Sequence, residues 1–336
     1  MKKALLLTIL VPALLLAAIC TYVLLQYERF LSEPLHSDTS FSYTVKPGSN
    51  LRAISEDLKQ QGLSDFPPVY LQIYGRLTQQ AHKIKAGEYQ IEPGTSLPQF
   101  LSLLVSGKVM MNAFTIVEGM TTKELLQALH QHPKMIKTLE TNNSDDVMSA
   151  LGAEDKRGEG WFLPETYHFP SGTKDIDFLQ RAYQQMQDAL AAAWEERADD
   201  LPYQSPYDAL IMASIIEKET GIAEERPEIA GVFVRRLQKG MRLQTDPTVI
   251  YGMGDKFDGN LRRADLRTDT PYNTYTRHGL PPTPICLPSI ESIHAALHPA
   301  DGNSLYFVAT GEEGRHVFSA TLQQHNKAVR RYQLKR

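Results

Sequence analysis

One stretch of the chain is apolar on almost every side, and this limits where it can lie in a fold. Residues 209–216 read Ala-Leu-Ile-Met-Ala-Ser-Ile-Ile and follow a helix start at Ser205 and Pro206. Serine is a favoured helix cap, and proline suits the first helical position, where its missing N–H costs nothing. Because a helix without a polar face must be enclosed by other elements, the sequence predicts a central buried helix that runs to Gly221.

Two glutamates, Glu217 and Glu219, stand at the end of this helix. At about 100° per residue, Glu217 lies on the face of Leu210 and Ala213, whereas Glu219 points about 200° away, so the two cannot face each other as a pair. Burial and the negative helix end both favour a protonated Glu217, which suits a general acid. The alternative is that Glu217 forms a structural salt bridge with Arg235, Arg236 or Arg242.

A polar segment, residues 244–251, follows the next amphipathic helix. Its amide, hydroxyl and carboxylate groups crowd beside Pro247 in what the sequence predicts as a loop, and they form a candidate cleft wall facing Glu217. Asp246 leaves two interpretations open, because it is either a second carboxylate that would support hydrolysis or a turn cap before Pro247. The candidate binding residues in this segment are Gln244, Thr245, Asp246 and Tyr251.

The segment 161–170 is dense in aromatic residues and contains one carboxylate, Glu165. Aromatic faces and carboxylates suit sugar rings, so Glu165 and Tyr167 are further candidates for ligand binding. A core strand with a buried tyrosine is the alternative. Four histidines downstream lack a spacing that binds zinc, and we therefore predict no metal site; they are His294, His298, His316 and His325.

An uncharged apolar run from Ala4 to Leu25 follows two lysines at the N-terminus. At about 1.5 Å per residue, this run can cross a hydrocarbon core of about 30 Å. The alternative, a cleaved signal peptide, has a shorter apolar core of about 7–15 residues. Since the lysines precede the run, the positive-inside rule predicts a cytoplasmic tip and single-pass anchor over residues 1–26, with the remaining chain outside the membrane.

We expect a mixed α+β fold in two domains after the anchor. Residues 27–40 are polar and predict a stalk, residues 41–108 predict a small domain, and residues 109–336 predict a larger domain built around the buried helix. A pattern of strand, glycine turn, hydroxyl cap and helix begins at Phe41 and recurs twice, through reuse of one unit or coincidence of common turn chemistry. Its first copy resembles the LysM-type modules that bind N-acetylated glycans.

Charge and cysteine content exclude two classes of protein. The 35 basic and 39 acidic residues give a net charge of -4, without the basic field that nucleic-acid binding requires. The two cysteines, Cys20 and Cys286, are too few for a disulfide framework or a thiolate metal site.

Three segments carry a specific resemblance: residues 213–220, 241–252 and 272–275, with shorter blocks at 160–167, 279–288 and 316–326. They resemble the MltG (YceG-like) family of endolytic murein transglycosylases. The resemblance implies a single-pass inner-membrane protein with a periplasmic body, in which Glu217 is the catalytic residue. Cys286 departs from the family pattern, where a small residue is commoner, and this puts local packing in doubt.

The resemblance also implies a reaction. Glu217 would protonate the oxygen between N-acetylmuramic acid and N-acetylglucosamine, and then accept the proton of the muramoyl 6-hydroxyl as a 1,6-anhydro end forms, without a cofactor. Gln244, Thr245, Asn273 and Tyr275 would orient the acetamido groups or stabilise the cationic transition state, while Tyr251 and Tyr167 would pack on sugar rings. The implied partners are nascent glycan strands, whose elongation the enzyme would terminate, the inner membrane and peptidoglycan synthases. A non-catalytic wall-binding scaffold and a two-carboxylate hydrolase are the alternatives.

Overall fold

The computed structural model describes residues 2–141, 143–311 and 314–334, except for the side chains of residues 2–9 and 12. Parts of the predicted anchor and larger domain, at Met1, Asn142, 312–313 and 335–336, lie outside the described residues. Contacts divide the chain into one unit of residues 1–112 with 170–172 and a second of residues 113–169 with 173–336. Both units combine helices with short strands, which confirms the mixed α+β class.

The first unit pairs two strands and packs helices on them. The strands are antiparallel, with Tyr43 opposite Tyr89, and both of these side chains are buried. Strand β1 alternates buried and exposed residues as the sequence predicts, and Asn50 caps the following helix by accepting a hydrogen bond from the Ala53 N–H. In chain order the elements are α1 (Lys2–Ser32), β1 (Phe41–Val45), α2 (Leu51–Gln60), α3 (Pro68–Leu77), β2 (Gly87–Ile91) and α4 (Leu97–Ser106).

Helix α1 contains the apolar run of the N-terminus. Among the described residues, its part from Ala13 to Ser32 is the one helix long and apolar enough to cross a membrane, by length and composition. The helix differs from the predicted stalk, because it continues to Ser32 and buries Phe30 against the rings of Phe66, Tyr70 and Tyr74. Polar composition predicted a stalk over residues 27–40, but Phe30 packs the end of α1 against the rest of the first unit.

The second unit surrounds one helix with the remaining elements. Strands β7 and β8 form an antiparallel pair, β3 pairs with β5, and β4 pairs with β6 in parallel. Its helices are α5 (Thr122–Gln131), α6 (Ser144–Ala150), α7 (Asp175–Glu195), α8 (Pro206–Glu219), α9 (Arg226–Gln238), α10 (Asp246–Met253), α11 (Ile290–Leu297) and α12 (Leu322–Tyr332). Its strands are β3 (Met111–Thr115), β4 (Met135–Ile136), β5 (Thr166–Pro170), β6 (Thr173–Lys174), β7 (Tyr306–Ala309) and β8 (His316–Ser319).

Helix α8 is the predicted buried helix. Every residue from Ala209 to Ile216 is buried, as the all-round apolar sequence requires. Ser205 occupies the cap position, but its hydroxyl makes no capping bond. The Asp208 carboxylate in the first turn accepts a hydrogen bond from the N–H of Gln204, just before the cap. Both glutamates lie in the last turn of α8, where the helix emerges from the core.

Candidate active site

Glu219 lies in the wall of a cavity of about 540 Å³ in the second unit. Its carboxylate accepts a hydrogen bond from the Thr245 hydroxyl. The cavity is lined by the last turn of α8, the start of α10, the strand β7 and one face of α12. Of the predicted site residues, four line this cavity together: Gln244, Thr245, Asp246 and Tyr275.

The polar segment after α9 is a helix start, whereas the sequence predicted a loop throughout. Helix α10 begins at Asp246, with Thr245 in the cap position and Pro247 in the first turn. Proline breaks helices only in their interior, so its presence in this segment was compatible with a helix. Gln244, just before the cap, has a positive φ of 51°, an unusual conformation for a residue with a Cβ atom.

Hydrogen bonds join the start of α10 to the loop that contains Tyr275. The Gln244 N–H donates to the Thr274 carbonyl at 3.2 Å, and the Thr245 N–H donates to the Thr274 hydroxyl at 3.1 Å. The Tyr275 hydroxyl donates to Asp246 Oδ1 at 2.6 Å. Burial and this bond raise the pKa of Tyr275, so its phenol stays protonated and holds Asp246 in place.

The surroundings of Glu219 favour its protonated form. Burial raises the pKa of Glu219 to about 7, and the negative charge of Asp246 adds to this effect. The hydrogen bond from Thr245 and the electrostatic effects of His316 and Arg236 lower the pKa of Glu219. A carboxylic acid that is half protonated near neutral pH can both donate and accept a proton, as general acid–base chemistry requires.

Glu217 lies elsewhere and is held by protein groups. Its Oε2 accepts hydrogen bonds from both the backbone N–H and the hydroxyl of Ser289, and its Oε1 lies 3.5 Å from Arg226 Nη2. Its side chain is only 6% exposed, and it is absent from the lining of the cavity around Glu219. The predicted wall therefore faces Glu219, and the arginine beside Glu217 is none of the three that the sequence suggested.

Ser289 connects the carboxylate of Glu217 to the first turn of α11. It caps α11, and its hydroxyl accepts a hydrogen bond from the Ser292 N–H at 3.2 Å. The Glu217 carboxylate therefore lies beside the N-terminus of α11. The arrangement connects the last turn of α8 to the first turn of α11 and fits the salt-bridge alternative, with Arg226 as the partner.

Four predicted binding residues lie away from the cavity, and three of them, Asn273, Tyr167 and Glu165, line neither it nor the second cavity described below. Asn273 is fully buried, and its amide donates to three backbone carbonyls, of Asp265, Leu266 and Thr268. It shapes the loop that carries Tyr275 without facing the cavity. Tyr167 is buried and donates to the Leu163 carbonyl at 2.8 Å, which fits the core-strand alternative. Glu165 is exposed on the surface, where its carboxylate accepts a hydrogen bond from the Thr166 N–H.

Tyr251 lines a second cavity, of about 1070 Å³, that also contains Pro247 and Ile250 of α10. Its hydroxyl donates to Glu159 Oε2 at 3.1 Å, and the other oxygen of Glu159 accepts from the backbone and hydroxyl of Thr122. Burial raises the pKa of Glu159 even with these donors. The Glu159 carboxylate connects α5 to α10. Tyr251 therefore belongs to a structural hydrogen-bond network and does not line the cavity that contains Glu219.

Comparison with known proteins identifies the group to which this chain belongs. The sequence model of the YceG-like family matches residues 43–331, most of the chain. The chain belongs to the YceG-like family.

Solved and characterised YceG-like relatives agree with this assignment. The endolytic murein transglycosylase of Bacillus subtilis (strain 168) is 31% identical over 91% of this chain and 89% of the relative. The endolytic murein transglycosylase of Streptococcus pneumoniae serotype 2 (strain D39) is 26% identical over 85% of this chain, which spans 57% of that longer protein. A crystal structure of a YceG-like protein from Listeria monocytogenes has a TM-score of 0.54 and 29% identity, covering 87% of this chain and 99% of that one.

Cys286, the residue whose packing the family resemblance put in doubt, fits its surroundings. The side chain is fully buried, and its thiol donates to the Ser214 carbonyl at 3.3 Å. The neighbouring Ile285 N–H donates to the Ser214 hydroxyl at 2.9 Å. The cysteine thus joins α8 to the segment before α11.

Sequence reasoning missed several cavity residues of this YceG-like protein. Arg236 was predicted only as a possible salt-bridge partner of Glu217. Its guanidinium donates to the Leu305 and Leu243 carbonyls and lies 5.1 Å from the centre of the Tyr306 ring. His316 Nδ1 lies 2.8 Å from Glu225 Oε2, and the His316 backbone N–H donates to Glu225 Oε1 at 3.0 Å. One signal was available for Glu219, because helical phase already separated it from Glu217. The other missed lining residues include Tyr306, His325 and Asn326.

Proposed function

We infer that this chain is an endolytic murein transglycosylase, a lyase that cuts peptidoglycan glycan strands internally. Membership of the YceG-like family and the two relatives of that activity, one aligned over 89% of its length, support the activity itself. The observation that carries the mechanism is the placement of Glu219, which is half-buried in a cavity wall and bonded to Thr245, in surroundings that raise its pKa to about 7.

We propose Glu219 as the acid and base of the reaction, in place of the Glu217 predicted from the sequence. Protonated Glu219 gives its proton to the glycosidic oxygen as the bond from C1 of N-acetylmuramic acid to that oxygen breaks. The positive charge that develops at C1 is stabilised by the substrate's own acetamido group. One carboxyl group is sufficient for this step, because no second carboxylate has to activate water.

The second step regenerates the acid. Glu219, now ionised, accepts the proton of the muramoyl 6-hydroxyl while its oxygen bonds to C1, and the product is a 1,6-anhydro end. Thr245 orients the carboxylate through its hydrogen bond, which is worth more to the ionised than to the neutral form. Gln244 and Tyr275 line the same cavity and are placed to hydrogen-bond amide groups of the glycan.

Asp246 distinguishes this function from the hydrolase alternative. Its carboxylate lies in the same cavity as Glu219, so a two-carboxylate hydrolysis is the second candidate function. The bond from Tyr275 favours a positioning and electrostatic role for Asp246. Digestion of purified murein followed by mass spectrometry separates the outcomes: anhydro ends support the transglycosylase, reducing ends support a hydrolase, and intact strands support a scaffold that binds without cutting.

We propose that α1 anchors the enzyme in the inner membrane as a single span, with its tip cytoplasmic and both units in the periplasm. Helix length and composition support a span, while a signal sequence would pass the same test. Such an anchor would hold the enzyme beside growing strands and their synthases. The strand–helix–helix–strand order of the first unit supports the LysM-like prediction for residues 41–108, with the catalytic domain at 109–336. Protease protection of the full chain in inverted membrane vesicles tests the topology, since a periplasmic body would be protected.

A further inference from the structure

Helix α3 has an apolar stripe that no part of the described chain covers. Val69, Ile73 and Leu77 recur at every fourth residue and therefore lie on one face of the helix. Their exposed fractions are 49%, 51% and 80%. On the opposite face, Leu71 and Gly75 are buried in the first unit, so the helix is firmly docked and its outer face is not a packing defect.

The segment around the stripe is basic. From Pro67 to Gly87 the sequence has no acidic residue, although the whole chain has a net charge of -4. Arg76 on α3 and Lys83 and Lys85 just after it are all exposed. An apolar helical face next to exposed cations is typical of helices that lie in the headgroup region of an anionic membrane.

The end of α1 places this stripe close to the proposed membrane. Phe30 of α1 contacts α3 through Tyr70 and Tyr74, with ring centroids 6.0 and 5.5 Å apart. If the apolar run fills the hydrocarbon core, Phe30 lies five residues beyond Leu25, or about 7.5 Å along the helix. The headgroup layer is about 5–8 Å thick on each side, so α3 packs at the level of the headgroups.

We propose that Val69, Ile73 and Leu77 dock α3 onto the anionic phospholipid surface of the membrane that α1 crosses. The stripe enters the boundary between headgroups and acyl chains, and Arg76, Lys83 and Lys85 pair with lipid phosphates. With α1, this second attachment fixes the height and tilt of the first unit above the bilayer. The inference rests on the proposed membrane anchor and is independent of the chemistry at Glu219.

Fluorescence quenching in nanodiscs tests the proposal with the full chain. A bimane label is placed by Leu77→Cys or Ile73→Cys in a Cys20→Ser background, where the remaining Cys286 is buried. Nanodiscs of phosphatidylethanolamine and phosphatidylglycerol carry a nitroxide quencher high on the acyl chain. We expect several-fold stronger quenching at Leu77 and Ile73 than at Glu56→Cys, a matched exposed site on α2.

Three results would overturn the proposal. One is equal quenching at Leu77 and Glu56. Another is an unquenched label at Leu16→Cys, which would show that α1 does not enter lipid. The third is an unquenched Leu77 label together with disulfide cross-linking of the unlabelled Leu77→Cys variant between two chains, which would make a second copy the occupant. The same labels on the Glu219→Gln variant should be quenched as strongly as on the parent chain. The outcome of this test therefore does not depend on whether the proposed chemistry at Glu219 is correct.

Discussion

The Thr245 hydroxyl bonds to the carboxylate of Glu219 and so joins the cap of α10 to the last turn of α8. Two residues earlier in the same turn, Glu217 is bound by Ser289 at the cap of α11. One helix end therefore supplies two carboxylates with different surroundings, one in a cavity beside polar groups and one bonded to a helix N-terminus. We propose that the first of these carboxylates exchanges a proton with a bound glycan.

Asp246→Asn should change the pH dependence of cleavage. Burial is the main cause of the raised pKa of Glu219, and the charge of Asp246 adds to it. Without that charge, Glu219 loses its proton at lower pH, and the alkaline limb of the rate profile should move down by about 0.5–1 pH unit. Rates of murein cleavage across pH measure the shift. Asp255→Asn, an exposed carboxylate paired with Lys123, is the control and should leave the profile in place.

Glu219→Gln should become more stable than the parent chain as pH rises. The unfolded pKa of Glu219 is 4.5 and the folded value is about 7, so ionisation opposes folding. The contribution of protonated Glu219 to folding stability is fully present below pH 4.5 and is lost as pH rises through about 7. The glutamine cannot ionise. The difference in free energy of unfolding between Glu219→Gln and the parent should therefore be larger at pH 8 than at pH 5, by about 1–3 kcal/mol in favour of the variant.

Urea unfolding at the two pH values measures this difference. The exposed carboxylate of Asp199 supplies the control, because Asp199→Asn should show the same gap from the parent at both pH values. A gap for Glu219→Gln that does not change with pH would mean that Glu219 ionises as readily in the folded protein as in the unfolded chain.

Ser289→Ala should reduce stability without removing activity. The hydroxyl caps α11 and donates to Glu217, so its loss should cost about 1–2 kcal/mol and lower the melting temperature. Cleavage per folded molecule at 25 °C should stay near the parent rate. Thr321→Ala removes a cap from α12 that has no carboxylate partner, and its smaller cost measures capping alone. Inactive but fully folded Ser289→Ala would instead connect Glu217 to the chemistry.

The buried helix could be predicted from sequence because its signal is local. Eight successive residues of α8 lack a polar face, and no tertiary detail changes that conclusion. The choice between Glu217 and Glu219 depends on which face meets α10 and which meets α11. Helical phase gives the angle between the two side chains but not the direction of either, so the sequence separated them correctly and could not say which one faces the cavity.

Residue type alone also could not distinguish binding groups from structural ones. Asn273 carries the same amide whether it meets a sugar or three backbone carbonyls, and the turn it stabilises depends on distant residues in the loop. Tyr167 has an aromatic face of the kind that stacks on sugars, but this side chain is buried in the core. Thr245 and Asp246 were correctly grouped because they are adjacent in sequence, which required no knowledge of the fold.

The most direct test compares Glu219→Gln with Glu217→Gln on purified murein, with products analysed by mass spectrometry. Losing a general acid typically costs about 10²–10⁴-fold in rate, so Glu219→Gln should yield almost no anhydro ends. Glu217→Gln keeps its shape and two hydrogen bonds from Ser289, and it should retain cleavage within about tenfold of the parent rate at a temperature where melting curves show it folded. The reverse result, an active Glu219→Gln and a folded but inactive Glu217→Gln, would contradict the assignment.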